Sequence, residues 1–495
     1  DILSMTSLSD KEISKMHGQK VSCKIGGSSN LQLERYIHGI VTHIERDRQI
    51  GGDDNNSFCV LRIEPSFALT RMGLSMRVWK NITVPDLVKL LLSENNINHL
   101  DFKLNDTYQK REYCIQYRES DFDFISRLLE EEGIYYFFEH ELEQHKMVLA
   151  DNPSSHTQSD SPFISWHHHM NALSEKCIYN WKSMSDVIPS EVLLLGYNMQ
   201  QTTTISGRFS SQSDFKKIDN ITYKVMLQLA ERTTLSNKAK AWMEAYDTNT
   251  TFFKANTNAY WLGCGEVFFL KDHPEDNDKY RIQGLTISAS NGFGENADEF
   301  HSDMSLLRHS VNWRPVCTRT PPQISGVLTA KVVGPDGEDI HTDEFGRIKI
   351  KFHWDQKSTS DGSDSCWVRV SQPWSGNMYG TQFIPRVGSE VLVSFIQGNP
   401  DYPLVTGSVY NGQNKPPFTL PADKFESGFM SRSINGGVED GNRISFNDKK
   451  GEEKLIISSQ KDLHLTVKNN ASTHVEKDVS KIIGKSRNTT IKSGN

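Results

Sequence analysis

Residues 455–494 read LIISSQKD, LHLTVKNN, ASTHVEKD, VSKIIGKS and RNTTIKSG, five blocks of eight, and Asn495 follows them. The last position of each block is Asp462, Asn470, Asp478, Ser486 or Gly494, all turn formers. The fifth position is Ser459, Val467, Val475, Ile483 or Ile491. Side chains alternate along a strand, so positions one, three and five share a face. That face carries Leu455 and Ile457, then Leu463, Leu465 and Val467, then Ala471, Thr473 and Val475, then Ile483, then Ile491. The opposite face carries Lys468, Glu476 and Lys492. The period is strand and turn, repeated. A short strand with one thin apolar face cannot enclose a core by itself, and a single chain coiling at eight residues per turn has no interior. Three chains wrapped together form a prism with the apolar face inward, so the segment predicts a homotrimer. The expected trimer core is Leu455, Ile457, Leu463, Leu465, Val467, Val475, Ile483 and Ile491. The other reading of the repeat, a polar antiparallel meander, would leave a long edge exposed. Lys481 and Arg487 also fall at inward positions, so either water or anions meet them or the register shifts there.

The chain as a whole has 495 residues, enough for about three domains. Its 55 Lys and Arg against 62 Asp and Glu leave a net charge of −7, which argues against a general nucleic-acid binder. Within that acidic total, residues 455–495 hold more basic than acidic side chains. Hydrophobic residues make up 36% and aromatics 10%, polar for this size yet too aromatic for disorder. No run approaches the roughly 20 apolar residues of a membrane helix. The opening residues 1–6 lack the charged and apolar regions of a signal peptide. They also lack an initiator Met, so residues are expected to precede Asp1. Seven cysteines (Cys23, Cys59, Cys114, Cys177, Cys264, Cys317 and Cys366), none in a Cys-x-x-Cys pair, point to reduced thiols made in the cytoplasm.

Before the repeat, the first 315 residues mix strands and helices. Residues 31–44 largely alternate and predict strands around a turn. Thr83-Val84-Pro85-Asp86 caps a helix carrying Leu87, Val88, Leu90, Leu91 and Leu92. Ser120-Asp121-Phe122-Asp123 resembles a capping box; Ile125, Leu128 and Leu129 follow as a stripe that ends at Gly133. Residues 134–138 predict a strand, and the Ser/Thr-rich stretch 198–220 an exposed loop. From Pro321-Pro322 onward the pattern is strands and turns. Five short strands, at 326–333, 345–354, 367–370, 388–395 and 403–410, fit a small closed barrel such as an OB-fold.

Three long runs resemble the VgrG family, the spike proteins of the bacterial type VI secretion system. They are residues 117–136 (YRESDFDFISRLLEEEGIYY), 343–355 (DEFGRIKIKFHWD) and 385–395 (PRVGSEVLVSF) with Gly398-Asn399-Pro400-Asp401 after it. The resemblance covers essentially the whole chain. It implies a mainly β protein: an α+β hub of two barrel-like lobes with helical insertions over 1–315, an OB-fold over 316–415, a linker over 416–454, and the start of a triple-stranded β-helix needle over 455–495, all in an intertwined homotrimer. It also implies partners: the hexameric tube of the haemolysin-coregulated protein (Hcp), a PAAR-repeat tip protein, baseplate and effector proteins, and a target membrane pierced mechanically. Such a spike would assemble in the cytoplasm and be secreted without a signal peptide. The chain departs from the family in lacking Val-x-Gly spacing in the repeat and in having Asn399 at a commoner Asp. It stops inside the repeat, so a longer native needle, and any C-terminal extension, would lie beyond Asn495. The rival readings are a prophage baseplate hub or tail spike, and a spike with a C-terminal toxin enzyme.

No catalytic, cofactor or metal residue is expected. Gly484-Lys485-Ser486 resembles the end of a phosphate loop, but position 479 is Val and the segment is a repeat strand. Gly292-Phe293-Gly294 reads as a turn rather than a dinucleotide fingerprint. His167 and His169 could share a strand face, where a metal site is conceivable but a solvated or barrel-rim cluster is the simpler reading; His341 and His353 could approach each other, and structural roles are the simpler reading there. Glu130-Glu131-Glu132 at a helix end reads as a solvated face. Tyr410 and Leu455 lie too close in sequence for the lysozyme domain that phage counterparts carry there.

Overall fold

The computed structural model describes residues 1–6, 10–26, 33–47, 57–168, 176–213, 218–227, 231–290 and 299–492. It divides into two compact units, Asp1–Val409 and Tyr410–Asn495.

The first unit begins with a four-stranded antiparallel sheet in the order Ile2–Thr6, Ser57–Glu64, Glu34–Asp47, Lys20–Gly26. The turn expected within 31–44 is absent over the described part. Glu34–Asp47 is one long strand, irregular only between Val41 and His43. Gly39 serves close strand approach instead of a turn, since a Cβ there would stand 2.6 Å from the Glu64 carbonyl oxygen.

Both expected helices form. In Val84–Glu94 the Thr83 hydroxyl accepts from the Asp86 N–H at 3.2 Å, and Val84, Leu87, Val88, Leu91 and Leu92 are buried. In Asp121–Glu132 the Ser120 hydroxyl accepts from the Asp123 N–H at 3.0 Å, and Gly133 ends the helix at φ 72°. Phe124, Ile125, Leu128 and Leu129 pack against the first helix in one core, each contributing on the order of 1.5–3 kcal/mol by leaving water.

A hairpin, Ser75–Ile82 with Arg111–Glu119, is a wall shared by two cores. Cys114 and Trp79 face the helices, while Val78, Tyr113, Ile115 and Tyr117 face the barrel. The barrel strands run Lys349–Phe352, Leu328–Val333, Glu390–Phe395, Pro403–Val409, Arg369–Val370. Ile348 and Val368 exchange backbone hydrogen bonds of 2.9 and 2.8 Å and close the ring, giving the five-stranded barrel expected from the strand spacing. The 343–347 motif is its tight turn: Asp343 accepts from the Phe345 and Arg347 N–H groups at 3.0 and 2.9 Å.

A six-stranded sheet runs Gln158–Ser165, Val267–Lys271, Lys279–Ser290, Glu299–Arg308, Phe252–Thr257, Ile178–Met184, and a bridge between Trp166 and Ile178 joins its two edge strands. Most of the described part of 198–220 is strand rather than loop. Thr203–Ser210 and the strand Ile218–Met226 flank Pro189–Asn198 in a three-stranded sheet under helix Arg232–Asp247. Ile205 and Phe209 face that helix. Gly207 lets the helix backbone close in, since a Cβ would meet the Leu235 carbonyl carbon at 2.3 Å. Serine and threonine mask this strand in composition, but not in alternation.

In the second unit, Glu426–Met430, Arg443–Asn447 and Lys454–Ser458 form an antiparallel sheet in that order. Residues 416–454, read as a linker, thus hold two strands.

Candidate functional site

Beyond Ser458 the backbone makes no strand pairing, and no backbone–backbone hydrogen bond involves residues 459–492 among the described residues. It bends at 460–461, 468–469, 476–477 and 484–485, and again at 492. The bends recur every eight residues with extended chain between them. They fall at positions six and seven of each octad, before the turn-forming residue at position eight. The schedule holds at 484–485, so the backbone does not slip register around Lys481 and Arg487.

Every residue from Gln460 to Lys492 is exposed. Leu463, Leu465 and Ile491 lie mostly in solvent, as does Ile482. The position-five residues Val467, Val475 and Ile483, at 48%, 47% and 43% exposure, are the least exposed large apolar side chains of this stretch. Leu455 and Ile457 sit on the last strand of the small sheet, opposite Phe446 and Ile444, with Phe429 opposite Ile444 on the next strand. All five are exposed on one sheet face. An apolar patch of this kind followed by extended chain with unpaired N–H and C=O groups is a surface made to be covered.

The other residues singled out in the sequence are not brought together. Gly484 and Lys485 form one of the periodic bends, as a repeat strand requires. His169 and the 292–294 motif lie outside the described residues. His341 pairs with Glu338 at 2.8 Å and stacks on Trp367, whereas His353 faces Glu390 at 3.5 Å. No group of three or more His, Cys, Asp or Glu side chains is placed to hold a metal ion among the described residues.

The reading of Glu130-Glu131-Glu132 as a solvated face is overturned. Glu131 takes Arg111 at 2.8 Å and Arg127 at 3.0 Å; Glu132 takes Arg111 at 2.6 Å and Lys238 at 2.8 Å. Glu130 accepts from the backbone N–H groups of Thr318 and Arg319 at 2.8 and 2.9 Å. Burial alone would push the Glu131 carboxyl up, but Arg111, Arg127 and Lys238 outweigh it and hold it at about 2. Arg111 and Lys238 come from distant segments and only Arg127 from the same helix, which is why the acidic run looked solvated. It ties the shared hairpin, helix Asp121–Glu132, helix Arg232–Asp247 and the chain leading to the barrel into one piece.

A second joint lies at Asp401, whose carboxylate accepts from the Ile115 N–H at 2.6 Å and so links the barrel to the shared wall. Burial raises this carboxyl to about 6 against the pull of Arg127 and Arg111. Asn399 accepts from the Asp401 N–H at 3.0 Å and shapes the same loop. A third joint is three imidazoles. His38 and His145 meet Nδ1 to Nδ1 at 2.8 Å, the Ser66 N–H donates to His145 Nε2 at 3.0 Å, and the His38 N–H donates to His140 Nδ1 at 3.2 Å. Burial and mutual repulsion hold His145 at about 4, while burial and Arg35 do the same for His140. Nothing local in the sequence marks these three, which come from separate strands.

The first unit is thus rigidly joined, and the second exposes a periodic apolar row. Family models divide the chain in the same chemical sense. A phage tail baseplate hub model matches residues 2–293, a type VI secretion system/phage-baseplate injector OB domain matches 330–410, and the bacteriophage T4 gp5 C-terminal trimerisation domain matches 427–495. Hub, barrel and trimerisation repeat in one chain define the class of phage-tail-like spike proteins. The chain belongs, within that class, to the VgrG family of type VI secretion system spike proteins. It is 34% identical over 482 residues to spike protein VgrG1c of Pseudomonas aeruginosa, covering 93% of this chain and 65% of that protein. It is 30% identical over 460 residues to the actin cross-linking toxin VgrG1 of Vibrio cholerae, covering 90% of this chain and 41% of the toxin. In fold it resembles the Escherichia coli c3393 protein, a type VI secretion component described as similar to T4 tail proteins gp27 and gp5 (TM-score 0.58, 20% identity, 82% of this chain and 91% of that one). The chain spans just under two thirds of the first of these relatives.

Proposed function

We propose that this chain is the structural spike of a type VI secretion apparatus and acts as a homotrimer. Three octad strands wrap together, with Leu455, Ile457, Leu463, Leu465, Val467, Val475, Ile483 and Ile491 turned to the common axis. The observation that carries this reading is the eight-residue bend schedule bearing an exposed apolar row. A wrapped trimer supplies both things the single chain lacks: backbone partners for the extended segments and cover for the apolar face. Residues 1–315 are assigned to the hub, 316–415 to the barrel and 455–495 to the needle, with 416–454 leading into it. The hub would sit on a hexameric tube of Hcp, a PAAR-repeat protein would cap the needle, and baseplate and effector proteins would attach. Pushed by the machine, the needle would cross the target membrane by force and without turnover. Assembly would take place in the cytoplasm and secretion would follow. No described helix is long and apolar enough to span a membrane.

Light scattering on the full chain tests the trimer. A mass near three times 56.3 kDa is expected, and a monomer mass with the octads folded would end the proposal. The likeness to a toxin of which this chain covers 41% favours one further reading, a spike carrying an enzyme beyond Asn495. The length of the reading frame past that residue decides it. A prophage origin would instead place capsid genes beside this one.

A further inference from the structure

Arg281 stands on the six-stranded sheet between Val267 and Leu307, its partners on the two neighbouring strands. All three are buried, and Arg281 is only 2% exposed. The residues flanking this row along their strands, Phe268, Tyr280, Ile282 and Leu306, lie in the core on one side of the sheet. Strand alternation therefore sends the row to the other side. Tyr135 and His156 are the groups whose charges couple to Arg281 there.

The other deeply buried arginines of this unit have their charge answered. Arg127 has Glu119 and Glu131, and Arg314 has Glu244 and Asp106. The half-buried Arg35 donates to the Leu262 carbonyl. Arg281 has none of this. Nη1 and Nη2 are both buried without a hydrogen-bond partner, and no carboxylate lies within ion-pair distance among the described residues. The groups around it cannot supply the missing charge. His156 donates from Nδ1 to the Gly265 carbonyl at 2.7 Å, which leaves Nε2 to accept the Tyr135 hydroxyl proton at 2.7 Å. Both groups are thereby spoken for and neutral. His309, also coupled to Arg281, has Nδ1 buried without a partner. A buried guanidinium with no carboxylate or carbonyl partner among the described residues is strongly unfavourable, so this position calls for a counter-ion.

We propose that Arg281 holds a small inorganic anion of the halide class between the six-stranded sheet and the Tyr135 strand, with His309 Nδ1 as an additional donor. The donor set selects the class. Two guanidinium nitrogens and one imidazole suit a compact monovalent ion, whereas the oxygens of phosphate or sulfate would need more donors than are present. A carboxylate from another chain would have to reach a side chain that is 2% exposed.

The test is the thermal unfolding of the full chain as sodium chloride replaces sodium gluconate at constant ionic strength, run alongside Arg281→Met. The wild type is expected to gain a saturable rise of about 2–4 °C that the variant lacks. An equal response in both overturns the proposal. If the variant does not fold, wild-type crystals soaked in sodium bromide decide. An anomalous peak within hydrogen-bond distance of the Arg281 guanidinium supports the site, and density for water alone there, with bromide bound elsewhere on the protein, removes it.

Discussion

The two units handle the same physical problem in opposite ways. In Asp1–Val409 strands pair within the chain, the barrel closes on itself through Ile348 and Val368, and acidic side chains find cations from distant segments. In Tyr410–Asn495 the last strand paired within the chain ends at Ser458, and the apolar row beyond stays in solvent. One unit is a finished fold, and the other, on the proposed trimer, is part of a fold whose remainder comes from identical copies. A self-contained unit unfolds independently of protein concentration, whereas a shared one melts at a concentration-dependent temperature. That difference makes the comparison open to experiment.

The largest effect is expected in the shared unit. If positions one, three and five face inward as proposed, Val475→Asp would place three carboxylates at one level of the needle axis and should abolish concentration-dependent melting. His474→Asp, at position four, should leave it nearly intact. Equal losses would show that positions one, three and five do not face inward. The corresponding break in the self-contained unit is Glu131→Gln, which strips charge from Arg111 and Arg127 and should cost about 3 kcal/mol by chemical denaturation. The trimer mass should be unchanged; a fall in mass would mean that the two units are not independent.

An intermediate effect follows from pH. His140 and His145 titrate at about 4 in the fold against an ordinary value near 6.5. The unfolded chain therefore takes up protons first as pH falls. Stability of the first unit is full above about 6.5 and should decline as pH drops toward 4. Asp401, raised to about 6, acts with the opposite sign between pH 4 and 6, since it favours the fold while protonated. Denaturant midpoints from pH 7.5 to 4.5 should fall in the wild type and fall less in His145→Gln. A flat wild-type profile would mean that the imidazoles do not oppose protonation. The smallest effect is Thr83→Ala, which removes a helix cap and should cost about 1 kcal/mol without any change in pH or concentration dependence.

Much of this was legible in the sequence wherever the signal is local. Helix Asp121–Glu132 has its cap, its stripe and its terminating Gly133 within 14 consecutive residues. The barrel strands carry their own turn residues, and the octads repeat. The strand Thr203–Ser210 was hidden because its apolar face is thin, only Ile205 and Phe209, with Gly207 reserved for the approach of a helix. The triglutamate run was misread because, Arg127 of its own helix apart, the charges that neutralise it come from distant segments, at Arg111 and Lys238. The histidine cluster and Arg281 left no local trace, since only the packing of separate strands makes them neighbours or leaves them alone.

Periodicity and capping are properties of neighbouring residues, so the amino-acid order alone settles the eight-residue repeat, the capped helices and the five-strand barrel pattern. Burial and charge pairing depend on which distant segments meet. The tertiary structure alone decided that Glu131 is a buried anion held at about 2, that Tyr113, Ile115 and Tyr117 belong to the barrel core, and that the Arg281 guanidinium is buried with no protein counter-charge among the described residues. The cost of a charge is set by the water and the counter-charges around it, and only the folded chain specifies those.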